Sequence, residues 1–318
     1  MQFASPRQVA RAIGVSESSL KRWVDRGWIA ATKTAGGHRR LAVASVVEYL
    51  RATQRPVLIP ELLGLPPLAS PNHPVPSRAL DEVADVFAQA LLAGDEESCR
   101  RLMLELHLGG KRISAICDEL IAAAFRKIGE RWQCGDAQVY QERRACDISL
   151  RVLAELRNLI PAGKPSEPLA IGGTIEDDPY MLPTAMVEIV LRQSGWRAQS
   201  LGSRLPAATL LAAAQELRPQ ILWLSISHLE DIPRFIAEYR ELYHQIGSQV
   251  AVVVGGRALT EPVRRQMEYA AYCDNLQHLE SFAATLSRSL ASVQPTEGAA
   301  TPIAPSTPQR PRRNRPAK

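Results

Sequence analysis

Apolar positions recur along this chain in three successive rhythms. Near the start they fall at short helical spacing, with Val9, Ala12 and Ile13 on one stripe and Leu20, Trp23 and Val24 on another. Ser5-Pro6-Arg7-Gln8 predicts the opening of the first helix: Ser5 caps it, Pro6 suits its first position and Gln8 reaches back as in a capping box. Gly14 ends that helix where a positive φ is needed. Ser16 caps a second helix over residues 17–26. A strand is expected from Gly27-Trp28-Ile29, and residues 32–41 read as a hairpin turned at Gly36-Gly37. Seven prolines then fall within residues 56–77, which predicts a linker of partly polyproline character. Only its 59–63 stretch has the apolar content to dock on something.

Helical spacing resumes with Leu80, Val83, Ala84, Phe87 and Leu91. Four helices are predicted over 78–92, 95–108, 112–130 and 136–160, broken at Gly94, Gly109-Gly110 and Gly135, which together make a small bundle. After a second linker, 161–168, the rhythm changes again. Short apolar runs at 169–174, 198–201, 221–226, 250–254 and 269–273 alternate with helices at 182–194, 206–217, 231–246, 260–268 and 277–292. Such alternation predicts an open parallel sheet wound on both sides, whose ligands bind at the carboxyl ends of the strands. The expected fold class is multidomain α and α/β. A winged helix-turn-helix (1–55) is followed by the linker (56–77), a four-helix cap (78–160), a doubly wound flavodoxin- or Rossmann-like domain (168–292) and a disordered basic tail (293–318).

Charge sharpens this division. Residues 1–55 hold ten Lys and Arg against three Asp and Glu. The last nine residues hold five Lys and Arg and no acid, so the middle carries a net of −7 although the whole chain is +5. Basic charge at the N-terminal unit favours contact with nucleic acid there and argues against it for the bulk of the protein. No apolar run approaches the ~20 residues of a membrane span. The start of the chain lacks a basic-then-apolar signal pattern, so a cytoplasmic location is expected. Five cysteines without a Cys-x-x-Cys pair argue against a disulfide framework.

The candidate chemistry of the first unit follows from its order. A helix, a tight turn, a second helix and a basic hairpin make a helix-turn-helix with a wing, the second helix entering the major groove of double-stranded DNA. Ser18, Ser19, Lys21 and Arg22 lie on the outer face of that helix, and His38, Arg39 and Arg40 follow the wing turn. Gln8-Val9-Ala10, Gly14-Val15-Ser16, Leu20-Lys21-Arg22-Trp23 and Gly36-Gly37-His38-Arg39-Arg40-Leu41 resemble the winged helix of MerR-type regulators and their excisionase-like relatives.

A second resemblance lies in the middle and end of the chain. Trp132 is followed ten positions later by Glu142, similar to the Trp-x9-Glu-His signature of cobalamin-dependent CarH-type regulators. Ser225 and Ser227 after one strand, and Gly255-Gly256 after the next, resemble the family residues that line the slot for the cofactor's nucleotide tail. The resemblance implies Trp132, Glu142, Asp178, Ser225, Ser227, Gly255 and Gly256 as cofactor-facing positions. It also implies a helical bundle that lays the Trp over the cofactor's upper face.

The sequence departs from that family where the cobalt ligand belongs. The Glu-x-His-x-x-Gly loop is matched to Glu176-Asp177-Asp178-Pro179-Tyr180-Met181, with Asp178 in place of the His and Met181 in place of the Gly. Arg143 replaces the His beside Glu142. A carboxylate is a harder, poorer partner for cobalt than imidazole. The expectation is therefore a regulator that keeps the fold without His-on cobalamin, with no cofactor, no metal site and no catalytic residue. Alternatives left open are an adenosylcobalamin-dependent, light-responsive regulator, with the cofactor's own benzimidazole or another ligand such as His228 on the metal, and a corrinoid methyl carrier; His228 otherwise reads as a polar surface residue at a strand end. The Glu176-Asp177-Asp178 cluster reads as a solvated loop capping the following helix rather than as acid–base machinery. A single winged helix touches little DNA, so a homo-oligomer, dimer or tetramer, is expected, responding to a small-molecule or protein signal.

Overall fold

Caps and a hairpin build the N-terminal unit. The computed structural model describes residues 2–68, 80–161 and 163–293. A short strand, β1 (Phe3–Ala4), leads into helix α1 (Pro6–Ala12). Ser5 Oγ accepts the Gln8 N–H at 3.3 Å while Gln8 Oε1 accepts the Ser5 N–H at 2.9 Å, which closes the capping box. Gly14, at φ 68°, turns the chain into α2 (Glu17–Asp25), where the Ser16 side chain accepts from Ser19 N. Val9, Ala12, Leu20 and Trp23 are buried in one core.

The strand expected at Gly27 starts later, as β2 (Ala31–Lys33). Gly27 adopts φ 75° and the Trp28 ring stacks on Tyr49 at 6.0 Å, so these residues turn off the end of α2 instead of extending. The wing returns as β3 (Arg39–Ala42), paired antiparallel with β2 on one side and β1 on the other. It runs into α3 (Val43–Ala52), a helix the apolar pattern did not single out, which buries Val43, Val46, Val47 and Leu50.

The start of the proline-rich linker is docked. Leu58 N–H and Ile59 N–H both donate to Ala12 O, at 2.7 and 3.0 Å. One 3-10 turn, Pro60–Leu63, follows, and Val57, Leu63 and Leu65 are buried in the core shared by the first unit and the bundle. The rest of that linker, from residue 69, and the basic tail from residue 294 lie outside the described residues.

Four helical stretches form the bundle, as the periodicity predicts. They are α4 (Leu80–Ala93), α5 (Glu96–Leu108), a third that runs from α6 (Ile113–Ala115) through the π-helical turn Ile116–Ala122 into α7 (Ala123–Gln133), and α8 (Val139–Arg157). Two polar joints tie the bundle to its neighbours. Arg51 of α3 donates to His107 Nε2 of α5 at 3.2 Å and to Lys111 O at 2.9 Å. Asp118, in the π-helical turn, accepts the N–H groups of Leu276 and Gln277 at 3.0 Å.

The last unit is a parallel five-stranded sheet. Its strands are β4 (Leu169–Thr174), β5 (Arg197–Ser200), β6 (Ile221–Ser225), β7 (Ala251–Gly255) and β8 (Ala271–Tyr272). The order is β5-β4-β6-β7-β8, a doubly wound topology with its switch point at β4. The helices are α9 (Met181–Gln193), α10 (Ala207–Leu217), α11 (Ile232–Ile246), α12 (Glu261–Arg264) and α13 (Leu276–Val293). Alternation along the strands sorts the two faces. Ala170, Trp223 and Val253 join the core that includes α9, α13 and the bundle, whereas Leu222, Leu224, Val252 and Val254 pack with α11. The helix expected over 260–268 stops early. After Arg265 the bonds tighten to i→i−3, from Gln266 N–H to Val263 O and Met267 N–H to Arg264 O, and α11 holds the segment beyond: Arg240 Nε donates to Gln266 O at 3.0 Å, and Tyr239 Oη donates to Glu268 O.

Candidate functional site

The candidate recognition surface of the first unit is assembled by α2 and the wing. Ser18, Lys21 and Arg22 are exposed and Ser19 is half-buried, because Leu20 and Trp23 commit the other side of the helix to the core. Antiparallel pairing puts Arg40 opposite Thr32 and Arg39 opposite Lys33, and His38 and Arg40 remain exposed. Arg39 behaves differently from its neighbour. Its guanidinium donates to Asp25 Oδ1 at 2.9 Å, which fastens the wing to the end of α2.

The second surface lies at the carboxyl ends of β4, β6 and β7. Asp178 is fully buried there, although it follows a strand in a loop. Its Oδ1 accepts the Tyr180 N–H at 2.9 Å, its Oδ2 accepts the Ser227 N–H at 2.5 Å, and its own carbonyl accepts Thr174 Oγ1–H. The carboxylate is thus turned into the protein, tying the loop after β4 to the end of β6. This corrects the expectation that Asp178 stands towards a ligand in place of an imidazole. Tyr180 projects instead: the Arg143 guanidinium of α8 lies 5.9 Å from its ring centroid and that of Arg257, after β7, lies 5.3 Å away. Arg257 Nε also donates to Ser227 O at 3.2 Å.

The remaining candidates are scattered around these residues. Ser225 is buried at the end of β6 and Ser227 is half-buried beyond it. Gly256 takes φ 122°, and a Cβ there would lie 2.2 Å from Ile226 O; one at Gly255 would lie 2.9 Å from Cys273 O. The closest neighbours at these small positions are therefore the chain's own backbone. Trp132, at the end of α7, is 54% exposed. Glu142 is engaged along its own helix, 3.5 Å from Arg143 and 3.7 Å from Cys146 Sγ. His228 is exposed, 3.8 Å from Glu230. Glu176 pairs with Arg234 at 2.6 Å, so the acidic cluster is divided between a surface ion pair and a buried tie. The residues that sequence reasoning missed are Tyr180, Arg257, Trp223 and Thr184. Of these, Tyr180 carried a readable signal, since it lies in the loop matched to the Glu-x-His-x-x-Gly pattern, two positions after Asp178.

Trp223 defines the layer beneath this loop. It is 1% exposed, and its Nε1–H donates to Thr184 Oγ1 of α9 at 2.9 Å. In register it lies beside Gly172 of β4, and a Cβ at Gly172 would fall 2.4 Å from the indole ring.

Three family profiles match successive parts of the chain. A "helix-turn-helix domain" profile matches residues 5–54, and two "B12 binding domain" profiles match residues 83–157 and 168–275. The chain carries a helix-turn-helix domain and a two-part B12-binding-type module. The HTH-type transcriptional repressor CarA of Myxococcus xanthus is 24% identical over 279 residues, 86% of this chain and 93% of that protein. A dimethylamine corrinoid protein of Methanosarcina barkeri is 22% identical over 200 residues, 61% of this chain and 92% of that protein. The structure of the Methanosarcina barkeri monomethylamine corrinoid protein superposes with a TM-score of 0.56 at 15% identity, covering 65% of this chain and all of that one, which establishes the shared fold.

The residues of this B12-type module do not fit a corrinoid held through a protein imidazole. No imidazole stands on the loop after β4; the projecting group is a phenol flanked by two guanidiniums, and the nearby His228 is a surface residue beside Glu230.

Proposed function

We propose that the protein is a DNA-binding transcriptional regulator, not an enzyme, whose B12-type module serves as a sensor or assembly unit without His-on cobalt ligation. The observation that carries this reading is the shared exposure of Ser18, Lys21, Arg22, His38 and Arg40 on a folded winged helix, ahead of a second ligand-type module. Lys21, Arg22 and Arg40 supply phosphate contacts, and Ser18 and Ser19 sit where a recognition helix meets base edges. Arg39 positions the wing through Asp25 rather than acting as a free phosphate contact. Likeness to a repressor across 86% of the chain supports the same reading. The partner is double-stranded DNA, bound by a homo-oligomer.

The test is duplex binding by fluorescence anisotropy across a range of salt concentrations. Arg40→Ala is expected to weaken binding to all sequences alike and to lower the slope of log K against log salt by about 1. An unchanged slope would remove the wing from the interface. Arg39→Ala should instead change affinity with a smaller change of slope.

A further inference from the structure

The fold likeness implies a corrinoid in two places, its metal over the loop after β4 and its nucleotide tail in a slot beside the strand ends. We propose that the chain's own side chains occupy both, Tyr180 the first and Trp223 the second, so that the module is closed on itself and takes no corrinoid. This inference rests on the B12-type fold and not on the DNA-binding reading.

The first place is decided by how the loop is tied. With Asp178 buried and both its oxygens accepting backbone N–H groups, the acidic residue of the Glu-x-His-x-x-Gly pattern is Asp178 itself. The pattern then runs Asp178-Pro179-Tyr180-Met181-Leu182-Pro183, with Tyr180 where the imidazole belongs and Pro183 where the glycine belongs. A phenol is a harder donor than imidazole and a poor match for cobalt. Its surroundings oppose the metal as well. Arg143 comes from the bundle and Arg257 from the sheet, and both guanidiniums lie within 6 Å of the Tyr180 ring centroid. A cationic cobalt centre placed there would meet two like charges, whereas the π face of a tyrosine attracts both. Tyr180 is thus an internal ligand that joins cap to sheet.

The second place is decided by packing. Trp223 lies on the strand face that carries Ser225, and its indole spans from Gly172 of β4 to Thr184 of α9. Gly172 is small because this indole lies against it. A tail inserted between sheet and α9 would have to expel a fully buried ring and leave its N–H without Thr184.

The full-length protein should be mixed in the dark, separately, with hydroxocobalamin, adenosylcobalamin and dicyanocobinamide, which lacks the nucleotide tail, then desalted and scanned through the visible range. The expected result is no corrinoid colour in the protein fraction with any of the three. Stoichiometric retention of either cobalamin overturns the proposal. Retention of the cobinamide alone overturns the role of Tyr180 and supports that of Trp223. The double variant Tyr180→His, Trp223→Gly restores an imidazole and empties the slot, and is expected to retain hydroxocobalamin. A double variant with wild-type circular dichroism that stays colourless would show that these two side chains are not the block. Anisotropy with duplex DNA, run on the same samples, reports on the regulator reading separately.

Discussion

His107 is an uncharged histidine by construction. Burial, and behind it the Arg51 guanidinium, push its pKa down to about 3. Because Arg51 can only donate, Nε2 must accept, so the proton sits on Nδ1, which has no partner among the described residues. In the unfolded chain the ring titrates near 6.5, about the usual value for histidine. Between that pH and about 3 the unfolded state therefore binds more protons, and stability falls as pH falls. The limiting slope is about 1.4 kcal/mol per pH unit. Denaturant unfolding at pH 7 and 5.5 should show a loss of about 1 kcal/mol in the wild type, and His107→Gln should remove most of that difference. An equal loss in both proteins would place the titrating group elsewhere. Other single residues show how far sequence reading reaches at this scale. Residue types on the recognition helix are legible, because Leu20 and Trp23 fix which face is out. The partners of charged groups are not: nothing near Arg39 announces Asp25, and Asp178 and Ser227 meet only through the fold, 49 positions apart.

Capping chemistry announced the first two helices, whereas α9 and α10, which have no side-chain cap, were legible from apolar spacing alone. Ser5 and Ser16 announced α1 and α2, and both accept the expected N–H groups. Helix α3 begins after Ala42 with no side-chain cap, and its run of Val43, Val46 and Val47 carries the β-branched composition of a strand. Tertiary burial of its i, i+3, i+4, i+7 face decides its form. The sheet and its helices were legible because the apolar runs are short and regularly spaced; α12 and β8, the shortest helix and strand of that unit, fell several residues short of the expected spans. The fit between β4 and β6 is a sharper test of packing. Gly172→Ala would set a methyl 2.1 Å from Trp223 O and 2.4 Å from the ring, with α9 closing the layer through Thr184. Overpacking of this kind costs about 1–3 kcal/mol, to be read as a lower denaturant midpoint at unchanged m-value. A variant as stable as the wild type would mean that this layer has slack.

On the scale of the molecule, the three units are joined by side chains that reach across long stretches of sequence. Arg51 links the winged helix to the bundle, Asp118 caps α13 from the bundle, and Arg143 reaches the loop after β4. The order of units was legible from charge and rhythm; these joints were not, because each is a single polar side chain whose partner is 50 or more positions away, or a ring met only through the fold. One winged helix contacts little DNA, so specific binding is expected from a dimer or larger assembly. Sedimentation velocity with a labelled duplex should show at least two chains per DNA; a one-to-one complex of full affinity would remove the assembly role from the B12-type module.

The five tryptophans are distributed so that the protein carries its own optical probes. Trp196 and Trp223 are sealed in the core and Trp23 nearly so, while Trp28 is 48% and Trp132 54% exposed, one in the winged-helix unit against Tyr49 and one at the end of α7. Emission excited in the indole band therefore separates into a blue, quencher-resistant share and a red share from two surface rings. Iodide should quench only the red share. Duplex DNA and any ligand of the bundle should each protect a different one of its two sources, so replacing Trp28 or Trp132 by Phe turns the remaining surface ring into a label-free reporter for one surface at a time.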